Sequence, residues 1–275
     1  MRLDFIRQGR IGMEAELRSR QTNAQPEKKP ERVDILGVGV DRVSMDDAIR
    51  RVRGFLSGNG PRMIVTADSA GVMITRKDPE LLSIVRAADL VTPDSSGILM
   101  AAKLLGTPLI ERVSGIDLAQ EICRLCADVG LSIFFLGAAP GVAEAAAVNL
   151  TGKFPGLRIA GTHDGFFTDD TPVVEEIRRS GAAALFVAMG IPKQEKWIAA
   201  HLGELGVLVA IGIGGSFDVF SGNVRRAPAW MRNHGLEWLH RLISNPRKIS
   251  KVAHLPRFAL MALRERLISR KGREG

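Results

Sequence analysis

The chain has 275 residues, of which 45% are hydrophobic and 25% charged, and a formal net charge of +8. That balance excludes disorder throughout, and no apolar stretch approaches the ~20 residues of a membrane-spanning helix. The charge is uneven: residues 222–275 carry 13 Lys and Arg against three carboxylates, a net +10, leaving −2 for residues 1–221. A near-neutral body with a basic tail calls for a polyanionic partner, either nucleic acid or anionic lipid.

In chain order, residues 1–31 form a polar lead-in that ends in Gln25-Pro-Glu-Lys-Lys-Pro30 and lacks the apolar centre of a secretion signal. The expectation is a soluble, non-exported chain. Residues 32–224 alternate short apolar runs with amphipathic stretches. The runs predict strands over 34–40, 62–66, 90–92, 132–136, 158–162, 183–188 and 207–211. Between them the spacing predicts helices over 45–56, 80–87, 98–105, 116–129, 142–154, 172–180 and 193–202. This is an α/β pattern: a mostly parallel, Rossmann-like sheet covered by helices on both faces. From residue 225 to 275 the strand pattern stops and a basic, helical appendage remains. Cys123 and Cys126 form a C-x-x-C, but with Ile122, Leu125 and Val129 at helical spacing they read as thiols of a core helix.

Ligands of such sheets bind beyond the carboxyl ends of the strands, which directs attention to four loops. Thr66-Ala67-Asp68-Ser69 follows one buried strand. Thr92-Pro93-Asp94-Ser95-Ser96-Gly97 follows another and precedes a helix that Ser95 or Ser96 can cap. A carboxylate at Asp94 can take a proton from a substrate hydroxyl; the same residue also reads as a turn or cap. Gly137-Ala138-Ala139-Pro140-Gly141 is a small-residue turn that lets backbone N–H groups approach a phosphate, although such turns also serve helix–sheet packing. Met189-Gly190-Ile191-Pro192-Lys193-Gln194-Glu195-Lys196-Trp197 places Lys193 and Gln194 at a helix start, either facing a ligand or solvated. His163 after its strand reads equally as a substrate contact or a hydrogen-bonded structural residue.

The segments 189–197 and 212–222, then Arg225-Arg226-Ala227-Pro228 and Gly235-Leu236-Glu237-Trp238-Leu239-His240-Arg241-Leu242, closely resemble the WecG/TagA/CpsF glycosyltransferases, glycosyltransferase family 26. The resemblance runs from about residue 33 to about 251. It implies a cytoplasmic, metal-independent, inverting enzyme without cofactor. Such an enzyme moves a sugar from a UDP-sugar onto a lipid-diphosphate-linked sugar at the inner membrane face. Asp94 then matches the family's aspartate proposed as base, and Thr66 a threonine of the donor region. Asp68 stands where the family usually has asparagine. Arg112 and Gln194 match polar side chains of its pocket, and Arg241 an arginine of an appendage that closes over the active site. Lys248 and Lys251 stand where two more arginines are expected, which weakens bidentate phosphate gripping.

The residues suit that chemistry. Displacement at an anomeric carbon needs a base on one face and stabilisation of a departing diphosphate on the other. No D-x-D occurs, the pairs Asp46-Asp47 and Asp169-Asp170 are adjacent, and the five histidines form no ligand motif. Cationic side chains and helix N-termini are left to hold the leaving group. In the tail, Trp230, Trp238, Leu239, Leu242 and Ile243 oppose Arg232, Arg241, Arg247, Lys248 and Lys251, while Phe258, Leu260, Met261, Leu263, Leu267 and Ile268 alternate with Arg257, Arg264, Arg266 and Arg270. Basic amphipathic helices of this kind lie on anionic lipid, which is the expectation here; the alternative is a solvated helix packed on the protein body. Two other activities compete. A nucleotide-dependent oxidoreductase lacks the G-x-G-x-x-G fingerprint, and a nucleic-acid-binding protein lacks a recognisable motif. Self-association stays open.

Overall fold

A computed structural model describes residues 29–234, 236, 237, 239, 240 and 254–271. Arg241, Lys248 and Lys251, with Trp238, Leu242, Ile243 and Arg247, lie outside the described residues, as does most of the lead-in. The described residues from Glu31 onward belong to one compact unit.

Six strands form one parallel sheet: β3 (Arg62–Ala67), β4 (Leu90–Pro93), β5 (Ser132–Gly137), β6 (Arg158–His163), β7 (Ala184–Ala188) and β8 (Val209–Gly212), in the order β4-β3-β8-β7-β5-β6. Each predicted run from residue 62 onward is a strand of this sheet. The first run is not. Residues 34–40, expected as one strand, split into an antiparallel hairpin of β1 (Arg32–Ile35) and β2 (Val38–Asp41). Leu36 and Gly37 both take positive φ, 57° and 88°, the geometry of a two-residue hairpin turn, and Asp34 Oδ1 accepts from Gly37 N at 2.7 Å. The hairpin is fastened to the sheet edge by Asp41, which is buried, pairs with Arg32 and accepts from Val91 N at 2.7 Å.

Alternation along the strands separates two apolar layers. Met63, Val65, Phe134, Leu136, Leu185, Val187 and Ala210 face one; Ile64, Ile133, Phe135, Ala184, Phe186, Val209 and Ile211 face the other. The second layer is closed by α1 (Met45–Leu56), α5 (Gly115–Val129), α6 (Val142–Lys153) and the short α9 (Ser216–Phe220). Its centre is Phe135, stacked on Phe186 at 5.5 Å and tilted against Phe217 at 4.9 Å. Phe135→Ala is expected to cost about 3–5 kcal/mol, the usual loss for a buried phenylalanine, measurable by denaturant unfolding. Cys123 and Cys126 of α5 are buried in this layer as free thiols; burial pushes both upward, Cys126 to about 12, so neither is a ready nucleophile at neutral pH.

The first layer is closed by α2 (Ser69–Thr75), α3 (Pro79–Ala87), α4 (Ser96–Leu105), α7 (Asp170–Ser180) and α8 (Lys193–His201). The sequence pattern missed α2, a single short helix started by the Asp68 cap. A further helix, α10 (Ala229–Asn233), precedes α11 (His254–Lys271), which packs on α4 and α2 and buries Phe258 and Ala262 in the same core cluster. The faces of α11 thus divide: positions 258 and 262 turn inward, while Leu260, Leu263, Leu267 and Ile268 are exposed.

Candidate active site

The carboxyl ends of β3 and β4 adjoin, and their ladder continues into the loops: Asp94 N donates to Ala67 O at 2.9 Å, and Val113 N to Pro93 O at 2.9 Å. Asp94 is half-buried, and its Oδ1 accepts from Gly115 N at 2.9 Å. Gly115 is the first residue of α5, whose N-cap Ser114 makes no side-chain capping bond. The Asp94 carboxylate therefore meets the positive end of that helix from outside. Gly115 also admits Thr66, since a Cβ there would lie 2.9 Å from Thr66 Cγ2; the Thr66 hydroxyl donates to Gly212 O at 3.2 Å. Thr66 and Asp94, far apart in sequence, thus converge on one helix start.

Two ion pairs tie the chain after residue 222 to this spot. Arg226 is bidentate on Asp117 in the first turn of α5, at 2.6 and 2.7 Å. Burial pulls its guanidinium down, but the Asp117 pairing, with the Glu237 and Asp94 charges, holds it above its ordinary value, so it stays charged. Arg112, on the segment leading into α5, pairs with Glu237 at 2.9 Å. These partners are separated by 109 and 125 residues, so no local pattern reveals them. Arg226 and Glu237 stand within the motif blocks, but nothing in the sequence pattern singles out Asp117, which the structure places in the first turn of α5.

A second group forms where β5 and β7 lie side by side. The chain leaves β5 towards β6 on one side and leaves β7 towards β8 on the other, so this crevice is a topological switch point. Gly137 has φ of 119°, and a Cβ there would lie 2.5 Å from Ala188 O, so only glycine lets the two strand ends meet so closely. After it, α6 begins at Gly141 without a side-chain cap. Across the crevice Lys193 is exposed, 5.4 Å above the Phe167 ring, with Nζ 3.4 Å from Gly165 O; Gly165 N in turn donates to Ala138 O at 2.9 Å. Gly137 and Lys193 are therefore brought to the same place.

Gln194 does not join Lys193 at the rim. It is 1% exposed and links the loops after β7 and β8: its Oε1 accepts from Gly190 N and Gly214 N, both at 3.1 Å. Asp68 caps α2, accepting from Gly71 N at 2.6 Å. His163 Nδ1 lies 2.8 Å from Asp164 O, with its ring edge-on to Phe167. Among the described residues no group of three His, Cys, Asp or Glu is placed to hold a metal ion. Asp169 caps α7, while Asp170 meets Trp197 and His201.

The sequence pattern of the glycosyl transferase WecG/TagA/CpsF family matches residues 33–272. The chain belongs to this family. A Bacillus spizizenii relative, an N-acetylglucosaminyldiphosphoundecaprenol N-acetyl-beta-D-mannosaminyltransferase, is 35% identical over 217 residues, covering 79% of this chain and 84% of the relative. Proteins of the same name from Bacillus subtilis and Staphylococcus aureus are 36% and 31% identical, covering 69% and 82% of this chain and 74% and 90% of their own length. Membership makes the chain a glycosyltransferase and decides against the oxidoreductase and nucleic-acid readings. In this WecG/TagA/CpsF protein the Thr66–Asp94 convergence and the β5–β7 crevice both lie at the carboxyl ends of the parallel strands.

Proposed function

We propose that this glycosyltransferase moves a sugar of N-acetylmannosamine or glucose type from a UDP-sugar to an undecaprenyl-diphosphate-linked sugar, inverting the anomeric centre without a metal or cofactor. The product enters exopolysaccharide, capsule or wall-polymer synthesis. The observation that carries the reading is the half-buried Asp94 carboxylate at a strand end, oriented by Gly115 N and flanked by Thr66 and the Arg226–Asp117 pair. In the transfer an acceptor hydroxyl oxygen bonds to the anomeric carbon as the bond from that carbon to the UDP oxygen breaks. Asp94 takes the hydroxyl proton, and the electron pair leaves with the diphosphate. The uncapped start of α6 and Lys193 supply positive potential to the diphosphate in the β5–β7 crevice. Thr66, Asp68, Arg112 and Gln194 line or brace the sugar side, and Arg241, Lys248 and Lys251 are assigned to the diphosphate on the family resemblance alone.

The relatives' names support an N-acetylmannosaminyl donor and an N-acetylglucosaminyl-diphosphate-undecaprenol acceptor. No helix among the described residues is long and apolar enough to cross a membrane. In this reading α11 lies on the inner leaflet instead. Its exposed Leu260, Leu263, Leu267 and Ile268 enter the interface, and Arg257, Arg264 and Arg266 meet anionic headgroups at about 1 kcal/mol each.

The test supplies short-chain lipid-diphosphate sugars and a panel of UDP-sugars, with and without exhaustive EDTA, and reads products by mass spectrometry. Transfer from one UDP-sugar, unchanged by EDTA, is expected. Loss of transfer in EDTA that magnesium or manganese restores would remove the metal-free mechanism, and no transfer from any UDP-sugar would remove the proposal.

A further inference from the structure

Glu195 is 3% exposed, and no step above uses it. It stands at the third position of α8, where a glutamate ordinarily reaches back to the backbone N–H of the N-cap residue. Here the N-cap is Pro192, which has no N–H to offer. The carboxyl turns inward, and its Oε1 accepts from Gln194 Nε2 at 2.8 Å. That bond decides which end of the Gln194 amide is oxygen. With Nε2 on Glu195, Oε1 faces the Gly190 and Gly214 N–H groups; the flipped amide would set its NH₂ against two donors. Gly212 leaves the space, since a Cβ there would lie 2.5 Å from Gln194 Nε2, and its carbonyl accepts from Thr66.

We propose that Glu195 is a positioning residue for sugar transfer: it holds the Gln194 amide in the one orientation that draws together the strand-end loops of β3, β7 and β8, and it does so as a neutral carboxylic acid. The proposal rests on the transferase reading above. Glu195 Oε2 has no hydrogen-bond partner among the described residues, and the residue borders a small, largely apolar cavity with Thr66, Ala67, Gly71 and Ile191. A bare charged oxygen is costly in such a place. Burial first, and then the Asp68 charge, push the Glu195 carboxyl up, outweighing the Gln194 bond and its own backbone N–H, which act the other way. The other charges around α8 are engaged elsewhere. Asp78 and Glu80 at the start of α3 both pair with Lys196, Asp170 of α7 meets Trp197 and His201, and Lys193 lies over Phe167. Strands β7 and β8 bring no charged residue.

The sign follows from the raised value. The folded chain binds this proton more tightly than the unfolded chain, so the neutral acid is fully tolerated below the ordinary carboxylate range. Stability and loop geometry are then lost as pH rises through the raised value and a second negative charge appears near Asp68. Glu195→Gln keeps a carbonyl for Gln194 Nε2 and cannot ionise; Glu195→Ala keeps neither.

The full chain and both variants are compared across mildly acidic to mildly alkaline pH for kcat, KM for the UDP-sugar, and thermal unfolding. Glu195→Gln is expected to hold kcat within roughly threefold of wild type, with turnover and Tm less dependent on pH above the ordinary carboxylate range. Glu195→Ala is expected to lower kcat by ~10–10², the scale of small displacements of positioned groups, with a smaller change in KM. A Glu195→Gln variant as impaired as Glu195→Ala would overturn the neutral-acid role. Superimposable pH profiles for wild type and Glu195→Gln would overturn it also. The unfolding comparison needs no donor, so a chain that transfers nothing would sink the transferase reading and leave this test intact.

Discussion

Asp94→Asn is expected to lower turnover by ~10²–10⁴, the usual scale for removal of a general base, with the fold and donor binding unchanged. The substitution is nearly isosteric, and the asparagine carbonyl can still accept from Gly115 N, so the bond that joins the β4 loop to α5 survives. What is lost is an anionic oxygen able to take the acceptor's proton. The decisive comparison is kcat on a short-chain acceptor, with UDP-sugar affinity and Tm measured on the same preparation. Near-wild-type turnover in a folded variant would strike Asp94 from the mechanism. A fall in Tm of several degrees would show instead that its charge matters to the α5 start rather than to chemistry.

The second large effect is expected at Arg226. Its two bonds to Asp117 cross from the chain after residue 222 to the helix whose first N–H orients Asp94. Charge-assisted bonds of this kind are worth about 1.5–3 kcal/mol each where solvent is excluded. Asp117 is one-third exposed, so the lower end applies, and Arg226→Ala should cost about 2 kcal/mol in all. The catalytic cost is expected to exceed that implied by stability. Misplacement of a catalytic group by about 1 Å costs on the order of 10²-fold in rate, and Arg226 contributes charge beside Asp94 as well as position. Arg226→Lys should recover stability better than turnover, because an ammonium cannot grip both Asp117 oxygens. A double-mutant cycle with Asp117→Asn isolates the pair; additive effects on kcat would show that the two residues act separately. Arg112 and Glu237 form the parallel case on the other flank of the same segment.

Much of the architecture is legible without coordinates because its causes are local. Residues 45–56 are a helix in the sequence pattern and in the structure, since Ser44 and Asp47 form a capping box and Ala48, Val52 and Leu56 recur at helical spacing. Five of the six runs from residue 62 to 212 are buried along most of their length and the edge strand β6 only partly, and all become parallel strands because a helix separates each from the next. The Asp94 loop is visible for the same reason: strand, proline, carboxylate, helix cap.

Tertiary structure decided whatever depends on partners distant in the chain. The period of residues 34–40 is that of one strand, yet positive φ at Leu36 and Gly37 folds them into a hairpin that Asp41 fastens to β4. Gln194 reads as a residue at a helix start that faces either a ligand or solvent, but the β8 backbone lacks a Cβ at Gly212 and leaves a buried slot for it. In α11 the sequence supplies apolar residues on more than one side, and only packing on α4 and α2 selects Phe258 and Ala262 to face inward. The Arg226–Asp117 and Arg112–Glu237 pairs belong to the same class. Periodicity reports a residue's neighbours within a turn or two. Convergence of Thr66, Asp94, Asp117 and Arg226 on the start of α5 is a property of strand order, which places β3 beside β4 and returns the chain after β8 to their loops.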